Sequence, residues 1–384
     1  MLAMDYEEHN KRSHEIWTTY QEGNPIRVPV TIYADARNWL AEPLENTRRI
    51  TMSEYLNDPE LMLWCQVRTE EWIRHNILSD DGMGYPKDGW HIRLDFQNFL
   101  EPAWFGGSVK DGIEPHVPAF IRDEDKYNFL EREMPDAFSG IGKKVLSYYE
   151  WFVEKQKTFT YQDIPIAHID MPFNMLGTDG PFTTACGIRG VENMLYDMVD
   201  DLEYVKSLMS YITKSIIRRI KSVRKLLGLP EKMDDIGFAD DSIVLLSPEM
   251  YKDIVLPFHQ QLYQELGTAG GKRSIHLCGD AQRYFQIIVQ QLNISSIDTG
   301  FPIQFDKLYT DLPSDVRIYG GPEVSLLRMG TKQRIDDRVK EILKSGVMEK
   351  SRKFVLREAN ALSPGTPIAN VNTIYEACEK YGYY

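Results

Sequence analysis

The alternation of short apolar runs with helical patterns is the feature that most limits how this chain can fold. Between the later runs, apolar residues recur every three or four positions, as they do from Val191 to Val223. Strands that alternate with helices predict an α/β fold with a parallel sheet, and eight such units predict a (β/α)8 TIM barrel. The eight runs are Val28–Tyr33, His91–Phe96, Pro165–Met171, Asp235–Ala239, Arg273–Leu277, Ile294–Asp298, Val316–Tyr319 and Lys353–Leu356.

The chain is longer than such a barrel needs. It has 384 residues, whereas eight strand–helix units take about 250. We predict a single barrel domain over residues 1–384, with the surplus in two early insertions. Residues 40–77 fit an inserted helical segment and residues 98–157 fit elaborated loops, both over the barrel mouth, where insertions shape a substrate pocket.

Charge and composition exclude several classes of protein. The net charge of −13 with no basic run argues against nucleic-acid binding. No stretch approaches the roughly 20 apolar residues of a membrane span. The first ten residues are acidic without an apolar core, so they do not form a signal peptide. Four cysteines are too few for a disulfide framework, which predicts reduced thiols and a cytoplasmic protein.

Polar residues follow five successive predicted strands. In a (β/α)8 barrel these strand ends form one face, which carries the active site. The sequence therefore predicts that acids, a histidine and a thiol meet there. In chain order the residues are Asp240, Asp241, His276, Cys278, Asp298, Glu323, Arg357, Glu358 and Asn360.

His276 and Cys278 are two positions apart at the end of the fifth run. Side chains alternate along a strand, so these two point the same way, and an imidazole with a thiolate is a zinc-binding pair. Two ligands do not complete a site. Alternatively, His276 is a hydrogen-bonded core residue and Cys278 a small buried hydrophobe.

The strand-end acids also have structural interpretations. Asp240 and Asp241 could cap a helix, and Glu358 could pair with Arg357. His259, within a helical pattern, fits a packed or surface histidine. The remaining cysteines, Cys65, Cys186 and Cys378, fit structural roles.

Four segments resemble the uroporphyrinogen decarboxylase superfamily, a (β/α)8 barrel family that includes tetrapyrrole decarboxylases and corrinoid-dependent methyltransferases. The resemblance covers residues 160–384 well and the first 150 residues loosely. The segments are Gly180–Asn193, Asp240–Tyr251, His276–Gly279, which resembles the methyltransferase zinc motif, and Ser363–Val371, which resembles the C-terminal signature.

The resemblance favours the methyltransferase branch. The decarboxylases grip substrate carboxylates with an N-terminal arginine cluster, but this chain has only Arg37 in the corresponding segment. The methyltransferase zinc site uses His-x-Cys and a later cysteine, and the position of that cysteine holds Asn360. Glu358 shares a strand face with Asn360, so we expect His276, Cys278 and Glu358 to bind zinc. Asp240, Asp298, Glu323 and Asn360 are the expected catalytic residues, and Gly279 and Gly321 the expected cofactor-binding ones.

The resemblance implies methyl transfer between a small substrate, folate or thiol and a corrinoid carried by a small partner protein. A site with only one thiolate is harder, which favours an oxygen- or nitrogen-bound methyl donor. Two rival functions remain open. One is a decarboxylase that acts on a tetrapyrrole or another carboxylated substrate, and the other is a non-catalytic corrinoid- or metal-binding barrel.

Overall fold

The computed structural model describes residues 4–112, 114–349 and 352–384. Within these ranges the strands form two sheets, with the orders β4-β5-β6-β7-β8 and β1-β3-β2. All neighbours are parallel except β2 and β3. The strands are β1 Trp90–Arg93, β2 Thr160–Tyr161, β3 Ile164–Asp170, β4 Met233–Ala239, β5 Gly267–Leu277, β6 Ser296–Thr299, β7 Arg317–Gly320 and β8 Lys353–Leu356.

Helices connect and cover these strands. They are α1 Tyr6–Gln21, α2 Ala36–Leu40, α3 Met52–Asn57, α4 Pro59–Asn76, α5 Leu100–Trp104, α6 Lys126–Leu130, α7 Ile141–Gln156, α8 Phe173–Leu176, α9 Pro181–Arg189, α10 Val191–Asp200, α11 Leu202–Leu226, α12 Pro248–Met250, α13 Leu256–Leu266, α14 Gln282–Leu292, α15 Phe305–Leu308, α16 Val324–Met329, α17 Lys332–Ile342 and α18 Ile368–Tyr381. Short 3-10 turns lie at Asp123–Asp125 and Asp241–Leu245, and π turns at Tyr251–Val255 and Leu343–Val347. None of the described helices is both long enough and apolar enough to cross a membrane.

The predicted parallel α/β architecture is confirmed, but a closed eight-stranded barrel is not. Seven of the eight predicted runs overlap a described strand. The first run, Val28–Tyr33, forms only a single parallel bridge from Val30 to Leu356 of β8. Pro29 lies in this run and lacks the N–H that a ladder needs, although its carbonyl accepts from Leu356 at 2.9 Å. Among the described residues β3 and β4 do not pair, and Ala239 at the end of β4 instead donates its N–H to the Thr178 carbonyl, which follows α8.

The central strands bury one face and leave the other half-exposed. Ile275, Leu277, Ile297 and Ile318 are at most 1% exposed. The alternate residues are half-buried, and the register aligns His276 with Asp298 and Asp298 with Tyr319. The period of two therefore separates an apolar, helix-covered face from a polar face on which the candidate site lies.

The two predicted insertions contain helices. Residues 40–77 hold α3 and α4, and α4 contacts β1. Residues 98–157 hold α5, α6 and α7, and α7 contacts β3. The placement of these segments over a barrel mouth, and the single-domain organisation, stay predictions.

Candidate metal and methyl-transfer site

Three potential metal-binding side chains converge at the ends of β4 and β5. His276 Nε2 lies 3.0 Å from Cys278 Sγ and 4.0 Å from Asp241 Oδ1. Asp241 Oδ1 also accepts a hydrogen bond from the Cys278 backbone N–H at 2.8 Å. One donor atom from each residue lies within 4.8 Å of the other two. A nitrogen, a sulfur and an oxygen donor form a set that suits zinc with one open position.

Asp298 orients the imidazole of this cluster. Its Oδ2 lies 2.8 Å from His276 Nδ1, which leaves Nε2 directed at Cys278 and Asp241. Arg357 Nη1 donates to the same oxygen at 2.9 Å. A carboxylate on the far nitrogen of a metal-binding histidine fixes the tautomer and the ring orientation. The register between β5 and β6 places this pair, since His276 and Asp298 are direct partners.

The electrostatics of the cluster favour a bound cation. Burial raises the pKa of the Cys278 thiol, and the nearby carboxylates of Asp241 and Asp298 raise it further. Burial lowers the pKa of His276, but its hydrogen bond to Asp298 and the two negative charges outweigh this, so its pKa is raised. Two carboxylates beside a thiol and an imidazole therefore form a negative site that a divalent cation would neutralise.

Glu358, the predicted third ligand, has other partners in the structure. Its side chain is fully buried, and Oε1 accepts from Arg357 Nη2 at 2.6 Å and from the Tyr33 N–H at 3.1 Å. Arg357 thus bridges Glu358 to Asp298, and the donor cluster contains Asp241 beside His276 and Cys278. Burial raises the pKa of Glu358 to about 7, although Arg357 opposes the shift.

Asp240, an expected catalytic residue, is fully buried and fully engaged. Its carboxylate accepts from the N–H groups of Phe182 and Thr183 at 3.0 and 2.7 Å, which are at the start of α9. The Thr183 hydroxyl and His259 Nε2 also contact it, each at 2.8 Å. Asp240 therefore anchors the N-terminus of α9, and His259 is a buried, hydrogen-bonded residue.

The other predicted residues supply no atom to the donor cluster. Glu323 forms a salt bridge with Arg338 at 2.9 Å. Asn360 has a φ of 97°, and its Oδ1 accepts from the next N–H at 2.7 Å. Gly279 follows Cys278 with a φ of 71°, a conformation that glycine adopts without strain. A Cβ on Gly321 would lie 1.8 Å from the Arg357 carbonyl, so this glycine lets the two strand ends approach.

Sequence reasoning recognised Asp241 as a strand-end acid but selected its neighbour. Adjacent side chains point in different directions, so only one member of the pair could face His276, and the sequence does not say which one. Asp179 was not predicted. It accepts from Asn174 at 2.8 Å, and burial together with the charges of Glu101 and Asp241 raises its pKa to about 7. The only sequence feature that could have indicated Asp179 was its position directly after Gly177 and Thr178.

Comparisons with known proteins agree with the resemblance seen in the sequence. The family model for uroporphyrinogen decarboxylase (URO-D) matches residues 172–381. This match covers more than half of the chain, and the chain belongs to the URO-D family.

Two proteins of Methanosarcina mazei are similar to this chain. The methylated-thiol–coenzyme M methyltransferase is 28% identical over 204 residues, which are 52% of this chain and 51% of the relative. The match therefore spans about half the length of that relative. A solved structure described as a methyltransferase has a TM-score of 0.62 at 17% identity and covers 96% of this chain and 98% of its own. This second likeness shows the fold alone.

Proposed function

We propose that this chain is a methyltransferase that moves a methyl group between a small substrate and a corrinoid carried by a separate protein. The convergence of Asp241, His276 and Cys278 carries the proposal. Membership of the URO-D family and the name of the M. mazei relative support it. A zinc ion held by these three side chains would supply a Lewis acid for a thiol or a methylated heteroatom.

The residues around the donors have defined tasks in this proposal. Asp298 accepts the Nδ1 proton of His276 and keeps the Nε2 lone pair directed toward the metal position. Arg357 holds Asp298 and balances its charge. The Asp241 carboxylate also fixes the backbone beside Cys278, which positions the thiol.

Asp241 bears on the choice of substrate. An oxygen ligand makes the site harder than a second thiolate would, which favours a methyl group bound to oxygen or nitrogen. The relative is named for methylated thiols, so both classes of methyl donor belong in the assay.

Mixing the protein with cob(I)alamin and methylated ethers, amines or thiols, and following the corrinoid absorbance, identifies the methyl donor. Binding without turnover would instead support a non-catalytic barrel.

Metal analysis tests the ligand set directly. After zinc supplementation we expect about one equivalent in the wild type and in Glu358→Ala, but a large loss in Asp241→Ala. Metal content below about a tenth of an equivalent in the wild type would end the zinc proposal. Loss of zinc from Glu358→Ala with retention in Asp241→Ala would restore Glu358 as the third ligand.

The decarboxylase alternative receives less support. Arg37, the one arginine of the segment expected to grip carboxylates, is held by Asp35 through contacts of 2.7 and 3.1 Å. A guanidinium committed to a neighbouring carboxylate is a poor clamp for a polycarboxylated substrate. Incubation with uroporphyrinogen, with analysis of the products, should show no decarboxylation.

A further inference from the structure

Three buried tyrosine hydroxyls near the start of β7 have no hydrogen-bond partner among the described residues. Tyr20 on α1 is 4% exposed, and Tyr309, which follows α15, is 8% exposed. The hydroxyls of both residues are buried without a partner, and so is the hydroxyl of Tyr384. Because a buried polar group without a partner costs free energy, three such groups in one region indicate a binding site.

The three tyrosines form one cluster. Burial raises the pKa of Tyr309, and its neighbours Tyr20 and Tyr384 raise it further. Burial also raises the pKa of Tyr20, and Tyr384 is again among the neighbours that add to the shift. The hydroxyls are therefore near enough to interact electrostatically, although no hydrogen bond of normal geometry joins them.

Arg317 adds a cation to this tyrosine cluster. It is the first residue of β7, and its guanidinium carbon lies 5.6 Å from the centroid of the Tyr20 ring. None of the ion pairs between described residues involves Arg317, and its Nε is buried without a partner. Burial lowers the pKa of Arg317, but Tyr20 and Tyr319 outweigh this effect and raise it. The surroundings of this guanidinium are therefore phenolic.

The charge of Arg317 is not balanced by a neighbouring acid. A second guanidinium, on Arg352, lies 4.9 Å from the centroid of the Tyr309 ring, but Glu349 pairs with it at 3.2 Å. Arg317 has no such acid among the described residues. Its charge lies among phenol rings, where screening by water is weaker than at the surface. An anion bound beside Arg317 would balance this charge.

The tyrosine cluster is separate from the donor cluster. Side chains two positions apart on a strand share a face, and Tyr319, two residues after Arg317, is the register partner of Asp298. Arg317 is therefore on the same sheet face as Asp298 but roughly 7 Å nearer the start of the strands. Neither Arg317 nor any of the tyrosines supplies an atom to the donor cluster.

We propose that Arg317 and the hydroxyls of Tyr20, Tyr309 and Tyr384 bind a small monovalent anion, for which chloride is the probe. A guanidinium can only donate, and a phenol hydroxyl can rotate to donate, so the four groups offer four donors to one acceptor. A water molecule would accept only about two of these hydrogen bonds and would leave the charge of Arg317 unbalanced. A halide ion accepts all of them and neutralises the charge. The proposal is independent of the methyltransferase activity.

Thermal unfolding tests this site when chloride replaces gluconate at constant ionic strength. A ligand that binds the folded state raises the melting temperature as its concentration rises, so the wild type should gain a few degrees. Arg317→Gln should lose most of this gain. Arg334→Gln is the matched control, because Arg334 is exposed on α17 and belongs to no described ion pair, and it should keep the full gain.

Tyr309→Phe tests the same site without removing the charge. Loss of an unpartnered hydroxyl should raise the melting temperature in gluconate, where the hydroxyl has no anion to bind, and should reduce the gain on addition of chloride. The control is Tyr204→Phe, since the hydroxyl of Tyr204 on α11 is also buried without a partner. This control should keep the wild-type response to chloride. This pair of variants decides the question if Arg317→Gln does not fold.

Crystals grown with bromide in place of chloride locate the ion directly. The expected result is an anomalous scattering peak in contact with Arg317 Nε and the three hydroxyls. An ordered water molecule at this position would overturn the proposal. An equal gain from chloride in the wild type, Arg317→Gln and Tyr309→Phe would also overturn it, because any bromide found there would then be an adventitious ion only.

Discussion

Asp240 and Asp241 are neighbours with different surroundings, and their variants should fail in different ways. Asp240 is buried and holds two N–H groups of α9, so Asp240→Asn should lower the free energy of unfolding by about 2–4 kcal/mol. The folded fraction should still bind zinc. Asp241 is 40% exposed in its side chain and supplies a donor atom, so Asp241→Asn should lose zinc affinity with little change in the stability of the zinc-free protein.

Denaturant unfolding of the zinc-free proteins and zinc titration of both variants provide the measurement. The two substitutions remove the same charge from adjacent positions, so each serves as the control for the other. Equal losses of stability in both variants would contradict the division of roles.

Glu358 makes stability depend on pH. Its pKa is raised from 4.5 to about 7, so the folded protein binds this proton more tightly than the unfolded chain does. The stabilisation is therefore present at low pH and is lost as the pH rises from about 4.5 to 7. Between about pH 5.5 and 8.5 the unfolding free energy of the wild type should fall by about 2 kcal/mol relative to Glu358→Gln.

Urea unfolding of both proteins at the two pH values checks this expectation. The amide introduced by Glu358→Gln would retain an oxygen acceptor for Arg357 and Tyr33, so the comparison isolates the ionisation. A constant difference between the two proteins would mean that Glu358 stays ionised throughout this range.

The residues that directly follow β5 and β6 pack closely against each other, and this contact between the two elements positions the Cys278 thiol. A Cβ on Gly300 would lie 2.5 Å from Gly279 N and 2.6 Å from Cys278 Cα. Gly300→Ala should therefore displace the Cys278 backbone and weaken zinc binding about 10-fold or more. Gly270→Ala, also in this part of the chain, meets nothing within 4 Å and serves as the control.

Competition with a chromophoric chelator measures the zinc affinity of both glycine variants. The two substitutions add the same methyl group, so a difference in affinity reports the contact with Cys278. An unchanged zinc affinity in Gly300→Ala would show that the residues after β5 and β6 can move apart without disturbing the site.

For the whole molecule, the alternation of short apolar runs with helical patterns predicted most of the parallel sheet, because buried strands leave such runs in the sequence. Lys353–Leu356 was predicted with the observed bounds. Val28–Tyr33 does not form a strand. Its own pattern does not encode whether it forms a full set of backbone hydrogen bonds with a neighbouring strand. His276 and Cys278 were found from local spacing. Asp241 and the partners of Glu358 depend on contacts between distant strands, which spacing does not encode.

The proposed zinc site should also stabilise the whole molecule, because a ligand that binds only the folded state lowers its free energy. With free zinc at about 100 times the dissociation constant, the gain is about 2.7 kcal/mol. Removal of zinc with a chelator should therefore lower the wild-type melting temperature by a few degrees.

The melting temperature of Asp241→Ala should not respond to chelation, whereas that of Glu358→Ala should respond as the wild type does. Differential scanning calorimetry makes this comparison, and equal responses from both variants would place the metal elsewhere. Restoration of the wild-type midpoint by added zinc would exclude damage by the chelator itself.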